Sequence, residues 1–205
     1  MYFDPIWRPD TKIRIWLEES VAATIRGALG RQFGPPFHPV MLEDVPATLE
    51  WKTYRAGAPF SPHPGVQMIA KSLPHPGGAF GMRLENGGAS FVYGADTGAL
   101  VDSDRAAALA WAAGAGLLVL DATFNCAESE AHPDWGHMSW QEAAAFGAEA
   151  GAVEVALFHH GPDRSDDELD VVAREAKNIF PRTILARDGL RISIQPAAQG
   201  ARTAG

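Results

Sequence analysis

Residues 80–97 read FGMRLENGGASFVYGADT, with an Asn-Gly pair near the centre and an aspartate near the end. Asn86-Gly87 at its centre is the strongest short signal for a β-hairpin, because both residues accept the positive φ angles of a two-residue turn. Apolar runs flank the turn on both sides, so we predict antiparallel strands over 79–85 and 89–93. Gly94-Ala95-Asp96-Thr97 follows the second strand and places a carboxylate just beyond its end.

The rest of the chain predicts more strands before the hairpin and alternating strands and helices after it. We predict strands over 12–16, 48–54, 66–72, 116–122, 153–158, 183–186 and 191–194, and helices over 20–29, 103–113, 139–150 and 165–179. The first helix is expected to begin at Ser20 and to end at Gly30. Serine followed three residues later by glutamate marks the start of each of the last two helices, and 124–138 is predicted to be a polar loop. This order of elements indicates an α/β fold.

Composition favours a single domain over 1–195 followed by a disordered tail at 196–205. Of the 205 residues, 46% are hydrophobic and 20% are charged, which is a globular balance. The longest apolar stretch, 106–120, is shorter than the roughly 20 residues that a membrane span needs, so we expect no membrane partner. No signal peptide is recognisable, and the single Cys126 excludes a disulfide framework. We therefore predict a cytoplasmic protein.

The charge distribution and the missing motifs exclude several classes of function. The net charge is −8 and the basic residues are scattered singly, whereas nucleic-acid binding usually needs a clustered basic surface. We therefore expect no nucleic-acid partner. No GxGxxG or GxxxxGK[ST] phosphate loop and no GxSxG elbow is present. Cys126 has no obviously placed histidine partner, so thiol catalysis is not favoured.

Four loops that follow predicted strands each carry a residue able to bind metal or move a proton. These residues are His75, Asp96, His137 and His159. Imidazole and carboxylate groups held at strand ends suit zinc or manganese. Simpler interpretations remain open, since His75 is also typical of a surface loop and Asp96 of a turn cap.

Other polar residues are given structural roles. His38, His63 and His132 are predicted to be solvated, and Asp121, at the end of a buried strand, to bond nearby backbone groups. The pair His159-His160 has no obvious packing role before Gly-Pro.

Three segments, taken in order, resemble the later part of the metallo-β-lactamase-fold hydrolases, in the branch of ribonuclease Z and the cyclic phosphodiesterases. They are FGMRLENGGASFVYGADT at 80–97, WGHMSW at 135–140 and LFHHGPDRSDDEL at 157–169, within a resemblance that runs from about 37 to 189. The resemblance implies a metallo-β-lactamase-type αββα sandwich that is N-terminally incomplete. It implies two Zn²⁺ or Mn²⁺ ions in the complete fold and hydrolysis of a small phosphodiester by metal-bound hydroxide.

The resemblance also assigns roles to the four loop residues. It implies that His75 and His159 are metal ligands and that Asp96 bridges the two metals. His137 is implied to act near the departing oxygen, although Met138 stands where the family has a small hydroxyl residue.

One family motif is absent, because no His-x-His-x-Asp-His run occurs in the 205 residues. The chain therefore resembles the C-terminal portion of the fold, and each metal would keep two of its four family ligands. We expect weak or absent metal binding by this chain alone and, as partner, a separate N-terminal half or a second copy. The alternative is a catalytically inactive truncated remnant or a binding subunit of a split protein.

Overall fold

The computed structural model describes residues 3–94, 96–100 and 102–196. The chain divides into two compact units, residues 1–58 and 59–205. The predicted disordered tail at 196–205 lies outside the described residues except for Pro196, and the single-domain boundary at 195 stays a prediction. Within the described ranges, no helix is both long enough and apolar enough to cross a membrane.

The described helices and strands follow the predicted order. The strands are β1 (Lys12–Glu18), β2 (Thr48–Tyr54), β3 (Pro59–His63), β4 (Val66–Leu73), β5 (Ala79–Asn86), β6 (Ala89–Gly94), β7 (Leu117–Asp121), β8 (Val155–Phe158) and β9 (Thr183–Leu185). The helices are α1 (Ala22–Gln32), α2 (Asp102–Ala112), α3 (Cys126–Ala131), α4 (Trp140–Glu149) and α5 (Asp166–Ile179).

The first unit pairs β1 with β2 in parallel, and α1 lies between them in the chain. The predicted start of α1 is wrong, because the Ser20 hydroxyl and amide both bond the buried Glu18 carboxylate instead of capping the helix. The helix begins at Ala22 without a side-chain cap and continues past Gly30 to Gln32.

The second unit contains a seven-stranded sheet whose strands, β3 to β9, are neighbours in chain order. The predicted hairpin is confirmed, since β5 and β6 pair antiparallel with Asn86 opposite Ala89. The edge strand β3 was not predicted, because its prolines at 59 and 62 disfavour a strand assignment. The strand predicted at 191–194 is wrong: Ile192 and Ile194 pack on the face of the sheet instead of extending its edge.

The strand directions bring four loops to one edge of this sheet. Strands β4 and β6 both run antiparallel to β5 and therefore run in the same direction. Strands β7 and β8 are parallel to β6. The carboxyl ends of β4, β6, β7 and β8 consequently share one edge, which is where open α/β sheets place their ligands.

The main core lies between one face of the sheet and the helices. Its buried sheet residues include Val92, Leu118, Leu120, Val155 and Leu157, and alanines of α2, α4 and α5 make up five of its eight buried residues from these helices. Small side chains let α4 approach the sheet closely. A Cβ at Gly147 would lie 2.1 Å from Val155 Cγ2, so only glycine fits there without rearrangement.

We predict that Gly147→Ala lowers the free energy of unfolding, because the added methyl overpacks the α4–β8 contact. Overpacking costs about 1–3 kcal/mol and outweighs the roughly 1 kcal/mol by which alanine exceeds glycine in helix propensity. Gly27→Ala is the matched control, since it lies on exposed helix α1 and its Cβ meets only the Arg31 guanidinium at 3.5 Å. Urea unfolding followed by circular dichroism measures both, and equal stability of the two variants would contradict the proposed close packing.

Candidate functional site

The structure brings the four predicted site residues together at the shared edge of the sheet. The ring centroids of His75 and His137 lie 5.6 Å apart, and those of His137 and His159 lie 4.9 Å apart. His159 Nε2 lies 3.5 Å from Asp96 Oδ1. We call His75, His137 and His159 the imidazole cluster; the roles that the resemblance assigns to its members stay predictions.

Glycines let the loops that carry the cluster pack against one another. Gly136 has φ 78°, and a Cβ there would lie 2.3 Å from Pro76 Cδ and 3.0 Å from His75 Cδ2. The Gly98 amide donates to the Pro74 carbonyl at 2.7 Å, and a Cβ on Gly98 would lie 3.3 Å from the Gly136 Cα. His75 and His137 can therefore lie side by side because the residues at 98 and 136 are glycines, which leave room for the two loops to touch.

Two of the site residues have strained backbones. In the described part of the chain, Asp96 with φ 51° and His159 with φ 56° are the non-glycine residues in the left-handed region. Such conformations cost about 1–3 kcal/mol each and persist where surrounding contacts hold them. At His159 the contact is visible, because the Thr123 hydroxyl lies 2.8 Å from its carbonyl oxygen.

A fully buried carboxylate, Asp121, organises the centre of the site. Its Oδ2 accepts a hydrogen bond from His137 Nδ1 at 2.7 Å, and its Oδ1 accepts from the Thr123 amide at 3.0 Å. The backbone bonds predicted for Asp121 are present, also at the Met138 amide (3.4 Å), but the imidazole contact was missed. Asp121 ends the apolar run LLVLD, and a charge buried at the end of such a strand needs a hydrogen-bonding partner. The sequence therefore indicated that a polar side chain would contact Asp121, although it did not indicate which one.

Each imidazole of the cluster is anchored through its Nδ1 atom. His75 Nδ1 lies 2.8 Å from the Pro76 carbonyl oxygen, and His137 Nδ1 bonds Asp121. Carbonyl and carboxylate oxygens only accept hydrogen bonds, so both Nδ1 atoms carry the proton in the neutral rings. The Nε2 atoms therefore retain their lone pairs.

The same tautomer follows for His159 from the contacts of Thr123. The Thr123 hydroxyl oxygen lies 2.8 Å from three atoms: Asp121 Oδ1, the His159 carbonyl oxygen and His159 Nδ1. The first two can only accept, and the hydroxyl has a single proton to give. His159 Nδ1 therefore donates to the hydroxyl, and its Nε2 is left for a ligand.

These donors fit a divalent cation. Asp121, His137 and His159 each offer an atom within 4.8 Å of the others. Both Asp121 oxygens are already engaged in hydrogen bonds, however, whereas the assigned tautomers leave the Nε2 lone pairs of the three imidazoles available and Asp96 Oδ1 lies 3.5 Å from one of them, His159 Nε2. Imidazole nitrogen together with carboxylate oxygen is a donor set typical of zinc or manganese.

The loop predicted over 124–138 contains the short helix α3, which begins with a capping box of Asn125 and Glu128. Glu128 also pairs with Arg164, whose guanidinium lies 3.4 Å from the Thr123 carbonyl oxygen. The loops after β7 and β8 are thereby tied together. His132, predicted to be solvated, is half-buried, and its ring stacks on Trp135 with centroids 4.3 Å apart.

Two titratable groups next in the chain or in space to site residues have shifted pKa values. Burial, and secondarily the negative charge of Asp96, raises the pKa of the Tyr93 phenol. Burial lowers the pKa of His160, whose ring lines a separate cavity beside α5 and β9. His160 is therefore not part of the imidazole cluster, although it is the neighbour of His159 in the chain.

Comparisons with known proteins concern the family and the fold of the chain. A family model described as a beta-lactamase superfamily domain matches residues 8–160. Ribonuclease Z of Synechococcus sp. strain CC9311 is 39% identical over 117 residues, which cover 55% of this chain and 35% of that protein. The chain spans about a third of the length of the curated relatives it matches. The name of these relatives describes an RNA-cleaving enzyme, which weakens the predicted exclusion of nucleic acid.

Solved structures share the fold at low sequence identity. The metallo-β-lactamase-fold protein YhfI of Bacillus subtilis aligns with a TM-score of 0.64 at 19% identity, covering 88% of this chain and 63% of that one. Zn²⁺-bound PqqB of Methylobacterium extorquens aligns with a TM-score of 0.59 at 20% identity, covering 90% and 63%. The predicted α/β fold of metallo-β-lactamase type and the resemblance to the ribonuclease Z branch are confirmed.

We predict that Thr123→Val removes the tautomer preference of His159, because valine has the shape of threonine but no hydroxyl. The loss also leaves the His159 carbonyl without this partner and lowers the free energy of unfolding by about 1–3 kcal/mol. The ¹⁵N shifts of the imidazole nitrogens, recorded by long-range NMR correlation, report the tautomer directly. Thr123→Ser should restore the wild-type pattern.

Thr183→Val is the matched control for this substitution. Thr183 is also buried, and its hydroxyl donates to the Phe180 carbonyl at 2.7 Å. The control should lose comparable stability while the His159 nitrogens keep their shifts. A wild-type His159 spectrum in folded Thr123→Val would overturn the assigned role of the hydroxyl.

Proposed function

Because the chain belongs to the beta-lactamase superfamily, we propose that it acts as part of a divalent-metal-dependent hydrolase of phosphodiesters. One observation carries the proposal: three imidazoles with anchored Nδ1 atoms gather beside Asp96 at the carboxyl edge of the sheet. Hydrolysis of a phosphodiester needs an activated water and stabilisation of the charge on phosphorus, and this donor set is suited to hold a cation for both.

In this proposal His75, Asp96 and His159 are the metal ligands that the chain contributes. When bound, a divalent cation lowers the pKa of water and neutralises the charge that develops on a phosphoryl oxygen. The protein orients the ligands beforehand, since the Pro76 carbonyl and the Thr123 hydroxyl fix the rings of His75 and His159. Zinc and manganese both fit this mixture of nitrogen and oxygen donors.

His137 is proposed to give a proton to the leaving oxygen. The Asp121 carboxylate, 2.7 Å from His137 Nδ1, accepts a hydrogen bond from this atom and so fixes the orientation of the ring. Nε2 carries no proton in the neutral ring, so it must first take one up from water, and it can then give this proton to the departing alkoxide as the ester bond breaks. The arrangement is that of a catalytic histidine oriented by a buried carboxylate.

The chain is proposed to hold only part of the centre. The His-x-His-x-Asp-His run that the family resemblance implies is not present in the 205 residues. Structural zinc sites use four protein ligands and catalytic sites three. A segment or partner chain that carries this run would complete the ligand set, and without it the second candidate function, an inactive remnant or binding subunit, applies.

The proposed substrate is a small phosphodiester. The net charge of −8 and the scattered basic residues disfavour a long polyanion, because each phosphate contact of such a ligand normally needs a cationic partner. RNA, the substrate that the name of the ribonuclease Z relatives describes, is the competing class.

We predict that the isolated chain binds Zn²⁺ weakly and hydrolyses bis(p-nitrophenyl) phosphate only at trace rates. Adding a segment that carries His-x-His-x-Asp-His, in cis or as a separate chain, should raise both, since loss of orientation alone costs about 100-fold. Isothermal titration calorimetry and p-nitrophenol release measure the two quantities. Asp96→Ala and His159→Ala should abolish the gain.

His63→Ala is the matched control, because His63 lies at the turn before β4, on the opposite edge of the sheet from the cluster. Strong metal-dependent turnover by the isolated chain would contradict the partial ligand set. Asp134 would then be tested first as a substitute ligand, since Glu128 is engaged by Arg164 and by its capping bond and His160 lines another cavity.

We further predict that His137→Gln separates proton transfer from metal binding in the completed enzyme. The affinity for Zn²⁺ should stay within about two-fold of wild type, while turnover falls by roughly 10²–10⁴-fold, the range that general acid catalysis contributes. A parallel loss of affinity would instead identify His137 as a ligand. The loss should be smaller for substrates with p-nitrophenol as leaving group, because a weakly basic oxygen needs less protonation.

A further inference from the structure

Trp135 lies two residues before His137, and its side chain is largely outside the core. The residue is 58% exposed, more than Trp7, which is 37% exposed. Single exposed apolar residues are common on protein surfaces, so exposure alone indicates no function. The contacts and the position of this indole distinguish it.

The indole is held in place by two other rings. His132 stacks on it with a centroid separation of 4.3 Å and an interplanar angle of 28°. Phe124, which is buried, contacts it at 6.1 Å and an angle of 53°. An exposed aromatic surface that is already immobilised loses little conformational entropy when a ligand stacks on it. We call Trp135 with its supporting rings His132 and Phe124 the aromatic platform.

The platform adjoins the imidazole cluster. Phe124 contacts both Trp135 and the His137 imidazole, the latter edge-on at 5.9 Å. A single ring therefore separates the indole from the proposed proton donor. A group stacked on Trp135 would be within reach of a phosphodiester whose leaving oxygen faces His137.

We propose that the aromatic platform is a binding subsite for a nucleobase that is part of the substrate phosphodiester. The assignment rests on the proposed function, because it places the base and the phosphorus in one molecule. Base stacking on an aromatic side chain tolerates any base, since every base has a π face. The base can come from a mononucleotide or from the end of a single-stranded RNA, and the acidic neighbours Glu130 and Asp134 oppose a long run of phosphates.

The test measures binding without metal, so that it does not depend on hydrolysis. Adenosine is titrated into the full chain in the presence of EDTA, and the indole N–H resonances of the six tryptophans are followed by NMR. The Trp135 resonance should shift and saturate while that of Trp7 stays in place. Ribose 5-phosphate, which has no base, should shift neither.

Substitution then establishes which ring binds. Trp135→Leu should weaken adenosine binding about ten-fold or more, and Trp135→Phe should retain most of it. Trp7→Leu is the matched control, because Trp7 is also exposed and also lies beside a histidine ring, that of His38. Wild-type affinity in folded Trp135→Leu, or an equal effect of Trp7→Leu, would overturn the subsite.

Two further measurements separate this inference from the proposed function and identify the molecule that carries the base. Adenosine binding that depends on Trp135, with no hydrolysis by the completed enzyme, keeps the subsite and removes the phosphodiesterase proposal. Hydrolysis by the completed enzyme, with adenosine binding that does not depend on Trp135, keeps the phosphodiesterase proposal and removes the subsite. Adenosine 5′-monophosphate is compared with a single-stranded adenosine pentanucleotide, and tighter binding of the former supports a mononucleotide substrate over an RNA end.

Discussion

The need to pair one buried negative charge organises the site. Asp121 ends an apolar strand and is fully shielded from water, where an unpaired carboxylate would be prohibitively costly. Its two oxygens are therefore matched to the Thr123 amide and hydroxyl and to His137 Nδ1. The Thr123 hydroxyl also lies 2.8 Å from His159 Nδ1. The hydrogen bonds around one buried carboxylate therefore orient the imidazoles of both His137 and His159.

The direction of the strands determines that these groups meet. Had β7 or β8 run antiparallel to β6, its loop would lie at the other edge, and Asp121 and His159 would be separated by the length of a strand. The parallel pairs instead place Asp121 opposite Phe158 and Gly94 opposite Leu120, so the three strands end at nearly the same level of the sheet. Strained turns at Asp96 and His159 then bend the chain back at that edge. Sheet topology supplies the position, and the hydrogen bonds to Nδ1 supply the orientation.

Local sequence signals predicted most of the elements, and competing contacts, one between near neighbours and one between distant residues, account for two features that were missed. Asn86-Gly87 and the capping boxes at Ser139 and Ser165 act within a few residues, so their outcomes could be predicted. Ser20 failed as a cap because the neighbouring Glu18 captured it. The edge positions of His75, Asp96, His137 and His159 followed from strand order. The Asp121–His137 bond joins residues 16 apart and depends on how the intervening loop folds, which no local pattern encodes.

Orientation and affinity have separate origins in this site. The tautomer of each clustered imidazole is set by oxygens of this chain, at Pro76, Asp121 and Thr123. These bonds lie within one sheet edge and need no other part of a larger protein. Metal affinity depends instead on how many ligands converge, because each added ligand replaces a water and contributes its own bond. The chain can therefore preserve the geometry needed for proton transfer while lacking the ligand count for tight binding. A segment that completes the shell would meet ligands whose lone pairs are already directed, so less of its binding energy is spent on ordering them.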